Sequence, residues 1–276
     1  MALLSGCSMV RLGYNQAPEL AYWWLDAYAD FNDLQTPRVR DALTQWFAWN
    51  RRTQLPDYVA LLQRAEAEVQ SDTTTERACA FEADLRSRID TAVDRAVPAA
   101  AELAQTLTPV QIQHIERRFA KVNEEFRSDY LQSDRTRRTQ ASTQRAIDRI
   151  EMVYGNLDAP QLDLIAKAVA QSPFDPVLWM QERQRRQQDV LQMLRRLSTE
   201  RPGAARAQAA VRAHVAQYSQ SPNEAFRTYN AKLSDFNCAF AATLHNATTP
   251  AQRQVALQRF KGWEADLRAL NADAAP

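Results

Sequence analysis

The chain has 276 residues, with 34 Lys and Arg against 33 Asp and Glu, so its formal net charge is +1. This balance excludes a basic nucleic-acid binder, and only 5 glycines and 3 cysteines exclude a glycine-rich fibre or a disulfide-dense mini-protein. The sequence also lacks the run of about 18–20 apolar residues that a membrane-spanning helix needs. We therefore expect a folded core and no nucleic-acid partner.

The residues before the helical part contain Leu4-Ser5-Gly6-Cys7, an aliphatic residue and two small residues followed by a cysteine. The pattern resembles the lipobox of bacterial lipoproteins, in which small side chains let a peptidase cut before the cysteine and the thiol takes a diacylglycerol. The alternative is an ordinary buried cysteine. A secretory signal has an apolar stretch of roughly 7–15 residues. Residues 1–7 are too few to hold such a stretch in full, so we expect them to be a truncated signal.

The lipobox resemblance implies a location. In Gram-negative lipoproteins, serine rather than aspartate after the cysteine is typical of sorting to the outer membrane. In this chain Ser8 follows Cys7. We therefore expect a protein anchored by lipid to the periplasmic face of that membrane, since an anchor attaches a chain without a spanning helix. Acylation of Cys7 is the one added group expected, and no cofactor is.

Cys79 and Cys238 remain as an even pair if Cys7 is acylated. The periplasm allows disulfides to persist, and linking these residues would close a long loop. The alternative is two unrelated buried thiols, because free cysteine is among the most buried residue types. We favour the disulfide.

Good helix formers dominate the chain, and hairpin signals such as Asn-Gly are absent from it. Capping residues precede proline at Thr36, Thr108, Ser172, Ser221 and Thr249, and Thr73 and Asp158 begin further capping boxes. These signals predict an all-α protein. The predicted helices span 18–32, 37–53, 56–71, 74–96, 109–154, 160–171, 176–199, 203–219, 222–246 and 250–270.

The predicted helix over 109–154 is unusually long. Its apolar residues keep one helical phase from Ile112 to Tyr154 across a polar seam, Asp129 to Thr143, and a single helix would measure roughly 65–70 Å. We therefore predict an elongated helical bundle. Residues 8–276 are expected to form one domain, with a possible subdivision near 155–160.

Arginines and tryptophans supply the candidate contact residues. Arg135, Arg137 and Arg138 lie on the polar seam, and a second arginine group lies on the helix after Pro176. They form either cationic strips for an acidic partner or solvated helix faces with ion pairs, and the interspersed carboxylates favour the latter. The adjacent Trp23 and Trp24 cannot both face inward, so one is a candidate for exposure. The aromatic residues of this region form either a small aromatic core, which we favour, or an aromatic platform at the lipid interface or a client groove.

Catalytic and metal-binding patterns are absent from the sequence. His114, His214 and His245 are far apart, and neither a His-Glu-x-x-His, a Cys-x-x-Cys nor a Gly-x-Ser-x-Gly motif occurs. We expect no metal and no enzymatic activity.

Residues 4–14, 22–28 and 49–58 together resemble a Gram-negative lipoprotein family known only as a domain of unknown function, and 107–111 and 249–253 fit it too. The resemblance implies a lipid-anchored helical protein and supplies no catalytic residues. Residues 107–111 also resemble the Leu-Thr-x-x-Gln motif of small periplasmic stress chaperones typified by Spy.

These observations predict a non-enzymatic scaffold or chaperone-like protein that binds a periplasmic or outer-membrane client. The alternatives are an enzyme or accessory acting on envelope lipid or peptidoglycan, and a purely structural spacer.

Overall fold

The computed structural model describes residues 9–273. The predicted signal segment 1–7 and the lipid-attachment residue Cys7 lie outside the described residues. Within 9–273 the chain forms eleven α-helices and one π-helical turn, Asn50–Gln54, and no strand, which confirms the all-α prediction. The helices are α1 (Met9–Ala29), α2 (Thr36–Trp49), α3 (Leu55–Glu68), α4 (Thr75–Ala104), α5 (Pro109–Tyr130), α6 (Arg135–Tyr154), α7 (Ala159–Gln171), α8 (Pro176–Glu200), α9 (Ala204–Ser219), α10 (Glu224–Asn246) and α11 (Pro250–Ala272).

Most of the predicted helix starts are correct. Thr108, Asp158 and Thr249 each form a capping box with a glutamine three residues later, so these amides of the first turn are satisfied locally. Ser221 was predicted to cap α10, but Asn223 does so and the buried Ser221 hydroxyl donates elsewhere.

The single long helix over 109–154 is wrong. The chain breaks between Tyr130 and Arg135, where the Asp134 carboxylate accepts hydrogen bonds from the amides of Thr136 and Arg137 at 2.9 and 3.1 Å. The Asp134 carboxylate thus satisfies amides in the first turn of α6. The chain can therefore end one helix and begin another here without leaving these amides unpaired. The two halves then pack against different neighbours, α5 against α8 and α1, and α6 against α7 and α11.

Two helices are longer than predicted, and each contains a proline. Pro18 is within α1 and Pro98 within α4, although each removes one backbone donor from its helix. Helix α1 begins at Met9 rather than near residue 18, and α4 continues to Ala104 rather than ending near residue 96.

Helix α4 joins the two ends of the bundle. Near its N-terminus, the sulfurs of Cys79 and of Cys238 on α10 lie at disulfide distance, 2.14 Å, with the Cα atoms 5.2 Å apart. Near its C-terminus, Val97 and Ala101 are fully buried against Leu197 of α8 and residues of α9. The predicted pairing of the two cysteines is thus confirmed. Both ends of α4 are held by other helices, and the middle of α4 lies between these contacts.

The bundle exposes more surface than a compact protein of its mass. Its accessible area is 16449 Å² for a chain of 31.4 kDa, whereas a compact monomer of that mass exposes about 12,000 Å². The excess agrees with the predicted elongated bundle and leaves room for surface grooves.

Candidate functional site

An open groove lies beside the middle of α4, and we call it the apolar groove. It has a volume of about 680 Å³, within the roughly 300–1,000 Å³ typical of ligand sites. Its floor is the packed pair α3 and α11, and its sides are α2, α4 and the first turn of α1. The apolar groove is lined by Val10, Trp46, Tyr58, Leu61, Leu62, Leu85, Arg88, Ile89, Ala92, Val93, Ala96, Trp263 and Leu267.

One wall of the apolar groove is a strip of exposed aliphatic side chains on α4. Leu85, Ile89 and Val93 recur every four residues and therefore share a helical face about 12 Å long. They are 46%, 54% and 38% exposed, although aliphatic side chains of this size are usually buried. Among the described residues that line the groove, Arg88 alone is charged. The strip is an apolar surface without a partner in the described chain.

Polar contacts at the edge of the groove hold its walls in place. The Trp46 indole donates a hydrogen bond to the Ala92 carbonyl at 2.9 Å, which ties α2 to α4. The Arg88 guanidinium pairs with the Asp57 carboxylate at 2.8 Å, which ties α4 to α3. The one charged residue of the lining, Arg88, thus already has an acidic partner.

The π-helical turn Asn50–Gln54 positions one aromatic residue of the groove. The buried Asn50 amide accepts a hydrogen bond from the Tyr14 hydroxyl at 2.8 Å and donates to the Tyr58 hydroxyl at 3.2 Å. Burial raises the pKa of Tyr14, and the nearby Arg51 opposes that rise. The turn therefore joins α1 to α3 through a buried amide and fixes the Tyr58 ring at the groove.

The second cavity, which we call the polar cleft, has a volume of about 280 Å³ and lies where α5, α8 and α9 approach α1 and α10. It mixes aromatic rings with charged groups. The polar cleft is lined by Tyr28, Phe119, Val122, Trp179, Glu182, Arg183, Arg186, Gln187, Val190, Tyr218 and Phe226.

A buried carboxylate organises the polar cleft. Glu182 is 3% exposed, and its oxygens accept hydrogen bonds at 2.8 Å from Arg185, Arg186 and the Ser221 hydroxyl. Burial alone would raise the pKa of Glu182, but these donors outweigh burial and lower the pKa to about 2. Glu182 is consequently ionised at neutral pH and engaged by three donors, so its role is structural rather than proton transfer.

The three histidines lie on three different helices, and two of them, His214 and His245, are buried. His245 donates from Nε2 to the Ser71 carbonyl and accepts at Nδ1 from the Tyr154 hydroxyl, both at 2.8 Å. Burial lowers the pKa of His214, which packs edge-on against Tyr218. Among residues 9–273, no cluster of His, Cys, Asp and Glu has the arrangement that would hold a metal ion.

The tryptophans predicted as contact residues are on the surface. Trp23 is 57% and Trp24 61% exposed, so both rings face outward, and neither lines a cavity described above. The Trp24 ring contacts Tyr28, and the Arg40 guanidinium lies 5.8 Å from the Trp23 ring.

The predicted arginines lie at the α5–α6 break, away from both cavities. Arg135 and Arg137 are exposed, and Arg137 pairs with Asp134 at 3.4 Å. Arg138 is half-buried and donates to the Gln132 carbonyl. On α8, Arg185 and Arg195 likewise have acidic partners, which agrees with the ion-paired interpretation of these arginines.

Sequence reasoning missed the strip of Leu85, Ile89 and Val93. The four-residue spacing was visible, but such spacing normally indicates a buried helix face. Ser221 was noticed only as a helix cap, because nothing in the sequence indicates that a residue of the α9–α10 connection meets Glu182.

No helix within residues 9–273 is both long enough and apolar enough to cross a bilayer. Residues 27–206 match the profile of DUF6279, a family of unknown function, and the chain belongs to this family. The matched range includes the exposed strip of α4, Glu182 and Cys79. No curated protein and no solved structure matches the chain.

Proposed function

We propose that this protein is a lipid-anchored, non-enzymatic lipoprotein of the outer membrane that binds an apolar segment of a client protein in the apolar groove. The open groove of about 680 Å³ carries the proposal. The anchor rests on Cys7 within the lipobox-like residues, and the outer-membrane location rests on Ser8.

An amphipathic helix of a client protein is the occupant that suits the groove. Leu85, Ile89 and Val93 offer about two helical turns of aliphatic side chain, and Trp46, Tyr58 and Trp263 add aromatic surface. A client helix recognised in a groove presents its own apolar residues at the same three- and four-residue spacing. Binding would remove exposed aliphatic surface from water without desolvating an unpaired charge.

The Spy-like motif gives weaker support for a chaperone. Thr108 and Gln111 form a capping box, and the buried Gln111 amide also donates to the Asp30 carbonyl at 2.8 Å. These contacts give the motif a structural role at the junction of α1 and α5. The chaperone-like activity is therefore proposed from the apolar groove and not from this motif.

The groove is tested by replacing one residue of the strip. Purified Ile89→Gln and a matched control, Val177→Gln, would be compared with the unaltered protein in suppressing aggregation of chemically denatured citrate synthase. Val177 is 52% exposed on α8 and lies outside both cavity linings. We expect Ile89→Gln to lose suppression and Val177→Gln to keep it. Equal suppression by all three proteins would exclude the groove as the client site.

The anchor is tested separately in cells. Mass analysis of the N-terminal peptide should find acyl chains on Cys7, and density fractionation should place the protein with outer membranes. Cys7→Ser should abolish acylation and remove the protein from the outer-membrane fraction, with Ser8→Ala as the matched control for cutting and acylation. An unacylated Cys7 would exclude the anchor and leave the groove experiment valid.

A further inference from the structure

The outward face of α1 has the composition of a helix core rather than of a protein surface. Met9, Leu12, Gln16, Leu20, Trp23 and Trp24 lie within one sector of the helix, since they recur at three- and four-residue spacing. All six are exposed, with Met9 at 81% and Leu20 at 60%. Gly13 and Ala27 fill the remaining positions of this face, so it carries no charge over its whole length. We call it the outer α1 face.

The charged residues of α1 each have a partner within the protein, and the Glu19–Arg40 pair lies at the edge of the outer α1 face beside Trp23. Arg11 pairs with Asp273 at 3.4 Å, and Glu19 pairs with Arg40 of α2. The Asp26 carboxylate accepts a hydrogen bond from the Phe31 amide at 2.9 Å. A surface helix of a soluble protein normally has the reverse arrangement, with its polar residues toward water. The outer α1 face is therefore built to meet an apolar medium.

We propose that the outer α1 face lies in the interfacial region of the lipid bilayer, so that α1 lies flat on the membrane. The proposal rests on the proposed anchoring through Cys7. Cys7 precedes Met9 by two residues, and consecutive Cα atoms are 3.8 Å apart, so an anchored Cys7 keeps this end of α1 within roughly 8 Å of the acylated residue.

The tryptophans place the second contact at the far end of the helix. Trp23 and Trp24 lie about 20 Å beyond Met9 along the axis of α1, at about 1.5 Å per residue. Tryptophan prefers the boundary between acyl chains and headgroups, because its ring is apolar and its N–H is polar. An acyl anchor at one end and two indoles at the other fix the helix parallel to the surface. Because the Glu19–Arg40 pair beside Trp23 has no net charge and no other charged residue of α1 lies in this face, the contact does not require anionic lipid.

Membrane contact by the outer α1 face is measured by quenching of tryptophan fluorescence. The full chain is coupled through Cys7 to a maleimide lipid in phosphatidylcholine vesicles containing brominated acyl chains. We expect the lipid bromines to quench the protein, and the double variant Trp23→Phe/Trp24→Phe to lose roughly half or more of that quenching. Trp179→Phe, altered in the polar cleft, is the matched control and should retain it.

A charge in the outer α1 face provides the decisive variant. Leu20→Glu should abolish the lipid quenching and leave the midpoint of unfolding nearly unchanged, as is usual for a surface substitution. Met152→Glu, at a position on α6 that is 61% exposed, is the control and should leave the quenching unaltered. Raising the ionic strength from about 0.1 M to about 1 M, which shortens the Debye length from about 10 Å to about 3 Å, should not weaken the quenching.

Two results would overturn the proposal. One is equal lipid quenching in the unaltered protein, the double tryptophan variant and Leu20→Glu. The other is unhindered quenching of Trp23 and Trp24 by aqueous iodide on the vesicles, which would leave this face to a protein partner. Because the coupling replaces natural acylation, neither result depends on whether Cys7 is acylated in cells.

Discussion

The apolar groove and the polar cleft use their side chains in opposite ways. In the cleft, charged groups are removed from water and satisfied by one another, with Glu182 engaged by Arg185, Arg186 and Ser221. In the groove, the aliphatic residues of α4 stay in contact with water, and the one charged residue of the lining is paired. The charges of the cleft thus maintain the fold, while the side chains that remain open to solvent in the groove are apolar.

The two regions differ in the free energy of binding a ligand. A ligand in the cleft would have to replace hydrogen bonds to a buried carboxylate, and a buried charge that loses a partner is strongly destabilising. A ligand in the groove replaces only water on aliphatic surface, which is favourable. Variants in the cleft should therefore mainly lower stability, and variants in the groove should mainly lower ligand binding.

The largest expected effect is on the cleft. Glu182→Ala should lower the free energy of unfolding by about 3–5 kcal/mol, because it leaves Arg185, Arg186 and Ser221 without their shared acceptor. Urea unfolding at neutral pH measures the loss. Glu125→Ala, at an exposed position on α5, is the matched control and should stay within about 0.5 kcal/mol of the unaltered protein. A similar small loss for Glu182→Ala would remove the structural role given to this carboxylate.

The next effect concerns how α4 is held. Replacing both Cys79 and Cys238 by serine should lower the free energy of unfolding by about 2–4 kcal/mol, because the unfolded chain regains the freedom that the closed loop removed. Unfolding with and without reductant checks the assignment. Reductant should lower the midpoint of the unaltered protein to that of the double variant and leave the variant unchanged. An unaltered protein that ignores reductant would show that its cysteines are not linked in solution.

The pH dependence isolates the carboxylate of the cleft. Since the folded pKa of Glu182 is about 2, below its ordinary value of 4.5, its contribution is fully present above pH 4.5 and is lost as the pH falls toward 2. The difference in stability between the unaltered protein and Glu182→Gln should therefore be constant near neutral pH and shrink on acidification. Thermal unfolding across this range tests it, and a difference that grows toward low pH would contradict the assigned sign.

The smallest effect on stability belongs to the groove. Ile89→Gln should change the free energy of unfolding by no more than about 0.5 kcal/mol, since the side chain is 54% exposed. It should nevertheless reduce binding of an apolar fluorescent dye, with Val177→Gln as the comparison. A large loss of stability with unaltered dye binding would mean that this residue belongs to the core.

Much of the fold was predictable because helix signals are local. Thr108, Asp158 and Thr249 with their partner glutamines define helix starts through contacts within one turn. The pairing of Cys79 with Cys238 was also predictable, since only two cysteines remained once Cys7 was set aside.

The predictions failed where one local preference competed with another. The helical phase of residues 112–154 suggested one long helix, yet Asp134 caps a new helix and sends α6 to other neighbours. The helices predicted over 18–32 and 74–96 also had wrong bounds, since α1 begins at Met9 and α4 continues to Ala104, with Pro18 and Pro98 inside them. In each case the packing of the helices decided between two locally acceptable structures.

The sequence by itself determined the all-α class, most helix boundaries and the cysteine pairing, because these depend on neighbours along the chain or on counting. Only the tertiary structure decided which faces stay uncovered. An aliphatic strip such as Leu85, Ile89 and Val93 has the same pattern whether it is buried or exposed, and Glu182 and Ser221 are 39 residues apart. Burial is a property of what packs against a residue, and that partner is chosen by the whole fold.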